Sequence, residues 1–131
     1  MTGRDLDRQV AEKIMGYTPP EHPKTKAIRM KACMTHSSYD TFLGLPNGGG
    51  IDLPPKFSTD PAAMMQVIEA MRENGQYISI SCLPRSTTWA VQIHNDPDDE
   101  QIVTFASNQL SEAVCLAALA AVDAMTRRRA R

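Results

Sequence analysis

The stretch from residue 58 to residue 125 most constrains the fold of this chain. The spacing of its apolar residues changes from helical to strand-like and back again. It begins with one amphipathic segment, continues with three short segments of alternating apolar and polar residues, and ends in an alanine-rich segment. Apolar residues three or four positions apart are typical of a helix, whereas strict alternation is typical of a strand. The order helix-strand-strand-strand-helix predicts an α+β fold, with two helices on one face of a three-stranded antiparallel sheet.

A start signal and a stop signal define the helix that precedes the sheet. Asp60 suits the cap because its side chain accepts a backbone N–H bond, and Pro61 suits the first helical position because it has no N–H. Asn74 and Gly75 predict a left-handed end. We expect the apolar face to consist of Met64, Val67, Ile68 and Met71, with Met65 at its edge.

Three strands are predicted at residues 76–83, 87–94 and 101–106. The turns between them are short, which makes sequential strands antiparallel. In the first strand, the alternating apolar set is Ile78, Ile80 and Cys82, and we expect this set to face the core. The opposite and more polar face of the sheet is expected to be either covered by an N-terminal helix or open for binding.

Both ends of the chain are predicted to be helical. Residues 5–15 carry a narrow apolar stripe, Leu6, Val10 and Ile14, and Gly16 is a good stop. Residues 109–125 carry a smooth stripe that lets a helix approach a sheet closely: Ala113, Leu116, Ala117 and Ala120. Residues 127–131 form a basic tail, whose positive charge suits the end of a helix.

The middle of the chain, residues 17–57, is predicted to be an irregular insertion in a single domain that spans residues 1–131. Its six prolines exclude long regular elements, and Gly48, Gly49 and Gly50 mark a flexible tip. A short strand from this segment would make the sheet four-stranded. So long an irregular connection is often functional, although a mobile insertion without a role explains it equally well.

Several phrases of the sequence resemble the phage ABA sandwich domain family: residues 6–17, 57–63, 67–71 and 111–119, together with Trp89 in a strand. The likeness covers both ends of the chain and skips the middle. It implies a small protein of tailed phages and prophages. It brings no functional residues, since no activity is established for the family as a whole. The chain departs from the family pattern at Pro61, where an aliphatic residue is usual, and this alters only the start of a helix.

Composition excludes several classes of partner. The formal net charge of −1 over 131 residues predicts no strong attraction to nucleic acid or to an anionic membrane. Three widely spaced cysteines do not form a disulfide framework, and we expect Cys82 and Cys115 to be small core residues. No apolar stretch is long enough to cross a bilayer, and no signal sequence is evident, so we expect the protein in the host cytoplasm.

The same element order occurs in domains that bind double-stranded RNA, but the charges do not fit that function. Those domains place a basic cluster at the start of the last helix, where it contacts phosphates. Residues 107–112 of this chain contain neither lysine nor arginine. We therefore predict no binding to double-stranded RNA.

Metal-binding and catalytic patterns are incomplete. His22, Cys33 and His36 lack the second pair of ligands of a structural zinc site. The acidic cluster at 96–100 lacks the glycine and the later glutamate of a calcium loop, so that a solvated turn is the better interpretation. There is no nucleophile elbow and no phosphate loop. We predict a protein without catalytic residues, metal or cofactor, which is not an enzyme.

The candidate ligand-binding residues combine positive charge with aromatic surface. Five lie in the middle segment and one in the turn at 84–86: Lys26, Arg29, Lys31, His36, Tyr39 and Arg85. Guanidinium groups bind phosphate and aromatic rings stack on bases, so this set predicts a small nucleotide ligand. A solvated loop is the plainer alternative.

The hypothesis that follows is a phage accessory protein that acts by binding. It would counter host defence by sequestering a nucleotide second messenger, as a homo-oligomer. A second hypothesis is an inhibitor that docks the face or the edge of its sheet onto a host protein. An enzyme without a familiar motif and a structural protein of the virion remain as further alternatives.

Overall fold

The computed structural model describes residues 3–19, 26, 43–46, 50–82, 84–85, 87–95 and 100–129; for residues 95, 100–105 and 127–129 it describes the backbone alone. The elements in order are α1 (Gly3–Lys13), β1 (Leu43–Gly44), β2 (Ile51–Asp52), α2 (Pro61–Glu73), β3 (Gln76–Cys82), β4 (Trp89–Asn95), β5 (Glu100–Ser107) and α3 (Leu110–Arg129). The predicted α+β class and the order α-β-β-β-α are confirmed.

Helix α2 begins and ends at the predicted signals. The carboxylate of Asp60 accepts a hydrogen bond from the backbone N–H of Ala62 at 3.0 Å, and Pro61 occupies the first helical position. Gly75 has a φ of +82°, and its N–H donates to the carbonyl of Arg72 at 3.0 Å. A left-handed φ is strained for any residue with a side chain, which is why glycine is placed there.

The terminal helices differ from the predicted bounds by a few residues. Helix α1 begins at Gly3, and Gly16 closes it with a φ of +83° while the Tyr17 N–H donates to the carbonyl of Ala11 at 2.9 Å. Helix α3 continues to Arg129, beyond the predicted end at residue 125. Arginine has a high helix propensity and its charge is favourable at a helix C-terminus, so the start of the predicted tail stays helical.

The main sheet has the strand order β3-β4-β5, and both pairs are antiparallel. Tyr77 lies opposite His94 in the β3–β4 pair, and the register is continuous along all of β3. In the β4–β5 pair the register shifts between Ile93 and His94. Among the described strands of this sheet, β4 is therefore central, and β3 and β5 are the outer strands.

The helices form two layers on one side of the main sheet. Helix α3 packs on β4 and β5, and α2 packs on β3 and on α3. Helix α1 packs against α3 and not on the sheet, so of the two alternatives given for the opposite face, coverage by the N-terminal helix was wrong. Because α3 contacts neighbours on several sides, its buried residues are spread around its circumference: Ala113, Val114, Cys115, Ala117, Ala118, Leu119 and Ala121.

The middle segment contributes more to the core than its sequence indicates. Strands β1 and β2 pair with each other in a separate small sheet and do not extend the main one. Thr18 bridges to Gly44 through two backbone hydrogen bonds of 3.0 Å. Leu43 and Phe57 are fully buried against the helices. The segment is thus fixed to the domain at its two ends.

Candidate ligand-binding surface

The face of the main sheet that points away from α2 and α3, here called the outer face, is partly accessible to solvent. Alternation along β3 and β4 gives this face six described side chains: Tyr77, Ser79, Ser81, Ala90, Gln92 and His94. Those on β3 are exposed, and those on β4 are half-buried. Apart from the imidazole, none of these six side chains can carry a charge near neutral pH. The surface offers hydroxyl, amide and aromatic groups.

A stacked pair of rings occupies one end of the outer face. The rings of Tyr77 and His94 lie directly across from each other on β3 and β4, with centroids 5.0 Å apart and planes inclined by 10°. The ring nitrogens of His94 are shielded from solvent, whereas Tyr77 is 37% exposed. Because Tyr77 is on the outer strand, its ring has a side that is not occupied by His94. That side can receive another flat group.

Of the six predicted ligand-binding residues, the structure describes Lys26 and Arg85. Lys26 is exposed, as is Arg85, which lies in the turn between β3 and β4 with a left-handed φ of 65°. Arg29, Lys31, His36 and Tyr39 lie outside the described residues. The turn with Arg85 follows Cys82, and the strand from Tyr77 to Cys82 is about 17 Å long at roughly 3.3 Å per residue. Arg85 therefore does not contact the ring pair.

Cys82 corrects one prediction from the sequence. It is a free and exposed cysteine, not a core residue. Burial decreases along β3, from Gln76 at 3% exposure to Ile80 at 39%. The alternation of apolar residues continues beyond the part of the strand that the helices cover, and so both faces of β3 are accessible near its end.

Cys115 is buried, as predicted, and the pKa of its thiol is raised. Burial is the largest cause that raises the pKa of its thiol to about 12, and the charges of Asp7 and Glu112 add to the effect. A thiol with this pKa is almost entirely protonated at neutral pH, and the thiolate is the nucleophilic form. Burial, and then the carboxylate of Asp52, also raise the pKa of Tyr17. Neither residue is suited to nucleophilic catalysis.

The two sequence patterns considered for metal sites lie largely outside the described residues. His22, Cys33 and His36 lie outside the described residues, as do positions 96–99 of the acidic turn. Within the described ranges, no cluster of three or more His, Cys, Asp or Glu side chains has the arrangement of a metal site. No helix in those ranges is long and apolar enough to cross a membrane.

A shallow groove on the helical side differs in chemistry from the outer face. It has a volume of about 330 Å³, and its lining residues are Met15, Met65, Gln66, Glu69, Ala70 and Glu73. Met65 is half exposed there, and Glu69 forms an ion pair with Arg72 at 2.9 Å. The two glutamates make the groove unfavourable for a phosphate group, because like charges repel.

The fold and its sequence phrases match one known family. The model of the phage ABA sandwich domain covers residues 8–119, from the first helix into the last. The chain belongs to the phage ABA sandwich domain family. This family assignment agrees with the resemblance carried by residues 57–63 and 111–119.

A solved structure supports the ABA sandwich fold of the chain. The 2.0 Å crystal structure of a phage protein from Bacillus cereus ATCC 14579 superposes with a TM-score of 0.65 over 94% of this chain and 89% of that chain. The two sequences are 20% identical, so the likeness concerns the fold. No curated protein matches this sequence significantly.

The ring pair is the feature that analysis of the sequence missed. Alternation within each strand places Tyr77 and His94 on the more polar face of the sheet. Their pairing depends on the register between β3 and β4, which alternation within each strand does not define. A signal was present in the short turn at 84–86, because two strands joined by a short turn pair from that turn outwards.

Proposed function

We propose that this ABA sandwich protein is a phage accessory protein that binds a nucleotide on the outer face of its sheet and thereby sequesters a host second messenger. The observation that carries the proposal is the stacked pair of Tyr77 and His94. A nucleobase stacks on the side of the Tyr77 ring that His94 leaves accessible. Removing one such contact with a base usually costs about 1–3 kcal/mol.

The polar neighbours of Tyr77 suit the edges of a base. Ser79 is exposed two residues further along β3, and Gln92 lies opposite it on β4. A hydroxyl and a primary amide each donate and accept hydrogen bonds, as base edges do. The outer face thus combines one stacking surface with polar groups that can bond to the edge of a base.

Phosphate groups of the ligand require cations from elsewhere. The middle segment supplies Lys26, which is exposed, and its sequence also holds Arg29 and Lys31. Arg85 is too far from the ring pair to bind a phosphate next to the stacked base. We therefore assign the phosphate contacts to the middle segment, and we expect Arg85 to contribute at most to the far end of a long ligand.

Isothermal titration calorimetry against cyclic dinucleotides and ADP-ribose derivatives tests the proposal. We expect one or more of these compounds to bind, and Tyr77→Ala to weaken binding by about 1–3 kcal/mol. Met65→Ala is the matched control, because it truncates another exposed apolar side chain in the groove on the helical side. Absence of heat with every compound at saturating protein would contradict the proposal.

The chemical fate of the bound compound separates sequestration from catalysis. Sequestration predicts that the nucleotide is recovered intact by chromatography after the protein is denatured. Recovery of a hydrolysed product would instead indicate an enzyme.

Binding to a host protein is a second candidate, favoured by the exposed apolar side chains of β3. Tyr77 and Ile80 are 37% and 39% exposed on an outer strand of the main sheet. Strands at the edge of a sheet can pair with an extended segment of another protein. A pull-down from host lysate that fails with Ile80→Lys but succeeds with Met65→Lys would support this candidate.

A further inference from the structure

Strand β3 lacks the features that normally prevent the edge of a sheet from pairing. Its seven residues, Gln76–Cys82, include no charged residue and no proline, and the register with β4 shows no bulge. Soluble proteins usually protect an exposed edge with a charge, a proline or a bulge. Along β3, Tyr77, Ser79, Ile80, Ser81 and Cys82 are all exposed. Among the described residues the edge is therefore regular, and its side chains are exposed over most of its length.

Exposed apolar surface is concentrated on the same strand. Among the described residues, four large hydrophobic side chains are exposed, and two of them, Tyr77 and Ile80, lie on β3. Tyr77 and Ile80 are three residues apart. Because successive side chains of a strand alternate between its faces, these two point to opposite faces of the sheet. A partner must therefore cover both faces of the edge at once, as an added strand does.

The sequence of β3 is complementary to itself. In an antiparallel pair of two copies centred on Ser79, the Ile78 of one copy lies opposite Ile80 of the other, and Tyr77 lies opposite Ser81. Ser79 lies opposite its own counterpart. This register keeps the five residues from Tyr77 to Ser81 of both strands in the pair. Two β-branched side chains facing each other across a pair are stabilising.

We infer that a second copy of this chain pairs with β3, so that two main sheets join into one six-stranded sheet about a two-fold axis at Ser79. The interface is isologous, since each copy contributes the same strand. It covers Ile80 with the partner's Ile78 and leaves only the small side chain of the partner's Ser81 beside Tyr77. The inference does not depend on nucleotide binding, but it is compatible with a flat ligand next to Tyr77.

Two matched cysteine variants test the register directly. In a background with Cys33→Ser and Cys82→Ser, Ser79→Cys brings two thiols to a Cα separation of about 4.5–5.5 Å, within the range of a disulfide. Ser81→Cys is the control, because it is exposed on the same face but its two copies would lie roughly 13 Å apart. Mild oxidation should link Ser79→Cys into a dimer and leave Ser81→Cys largely monomeric. Equal linkage of both variants, or linkage of neither, overturns the inference.

Sedimentation equilibrium with uncross-linked protein provides an independent readout. The wild-type chain should be a dimer, and Ile80→Lys should raise its dissociation constant on the order of tenfold or more, since the charge protects the edge. Ile80 is already 39% exposed, so the variant should keep its fold, as circular dichroism will show. Met65→Lys, at a half-exposed position on α2, should leave the dimer intact. A wild-type monomer at every concentration would contradict the inference. So would a dimer whose dissociation constant is unchanged by Ile80→Lys.

Discussion

Asp7 is the residue that joins the first helix to the end of the middle segment. Its side chain is 7% exposed, and its carboxylate accepts a hydrogen bond from the backbone N–H of Ser58 at 2.8 Å. The hydroxyl of Ser58 in turn donates to the carbonyl of Gly3 at 3.4 Å. These bonds connect positions 51 and 55 residues apart, next to the buried residue Phe57.

We predict that Asp7→Ala lowers the free energy of unfolding by about 1–3 kcal/mol, because it leaves the Ser58 N–H buried without an acceptor. Urea denaturation measures the loss. Glu73→Gln, which changes an exposed carboxylate at the end of α2, should alter stability by no more than about 0.5 kcal/mol. Similar losses for the two variants would show that the Asp7 bond is not a structural link.

The raised pKa of Cys115 predicts a specific loss of stability in alkali. The folded pKa of about 12 exceeds the ordinary value of 9.0, so the folded state favours the protonated thiol. Its contribution to stability is complete below pH 9 and is lost as the pH rises from 9 towards 12. We expect the stability advantage of the wild type over Cys115→Ala, measured by urea denaturation, to shrink across this range. An advantage that stays constant with pH would contradict the assigned pKa.

Individual residues show where prediction from the sequence fails. Cys82 was expected in the core because alternation identifies a face of a strand, but it cannot tell how far the helices extend over that face. Leu43 and Phe57 were not predicted as core residues, because they lie in a proline-rich segment without periodicity. Both errors concern tertiary packing, on which local pattern carries little information.

At the scale of elements, the cap of α2 is the clearest link between sequence and structure. Asp60 has an extended φ of −98°, and its carboxylate bonds to the Ala62 N–H, as its position before Pro61 predicts. The first backbone N–H groups of a helix have no partner inside the helix, and the Asp60 side chain satisfies one of them. Start and stop signals of this kind act over a few residues, so the bounds of α2 were predictable.

Asp60→Ala should lower the free energy of unfolding by about 1 kcal/mol, because the cap is lost. Asp60→Ser keeps a side-chain oxygen at the same position and should recover most of the difference. Thermal or urea denaturation of the two variants provides the comparison. If Asp60→Ser were as unstable as Asp60→Ala, the effect would come from something other than the cap.

The arrangement of the helices was harder to predict than their bounds. Helix α1 packs on α3 and not on the outer face of the sheet. A narrow apolar stripe such as Leu6 and Val10 shows that a helix needs a partner, but it does not identify the partner. The apolar residues that lie all round α3, from Ala113 to Ala121, were the available signal in the sequence that α3 has neighbours on several sides.

At the scale of the whole molecule, the fold and the family could be predicted from the sequence, but the candidate surface could be predicted only in part. Helix and strand order followed from periodicity, and the family from short phrases such as residues 57–63. The cationic residues were placed in the middle segment, of which only Lys26 and the two ends are described. The pair of Tyr77 and His94 became visible once the register of β3 and β4 was known.

The most direct test of the account is an NMR titration of isotope-labelled protein with ADP-ribose and with cyclic dinucleotides. The ring of a stacked base shifts the resonances of nearby nuclei, so the largest changes should fall on Tyr77, Ser79 and His94. Resonances of Met65 and Glu69 in the groove on the helical side should stay unchanged. Changes centred on that groove, or none on β3 at saturation, would contradict the claim that the outer face of the sheet is the binding surface.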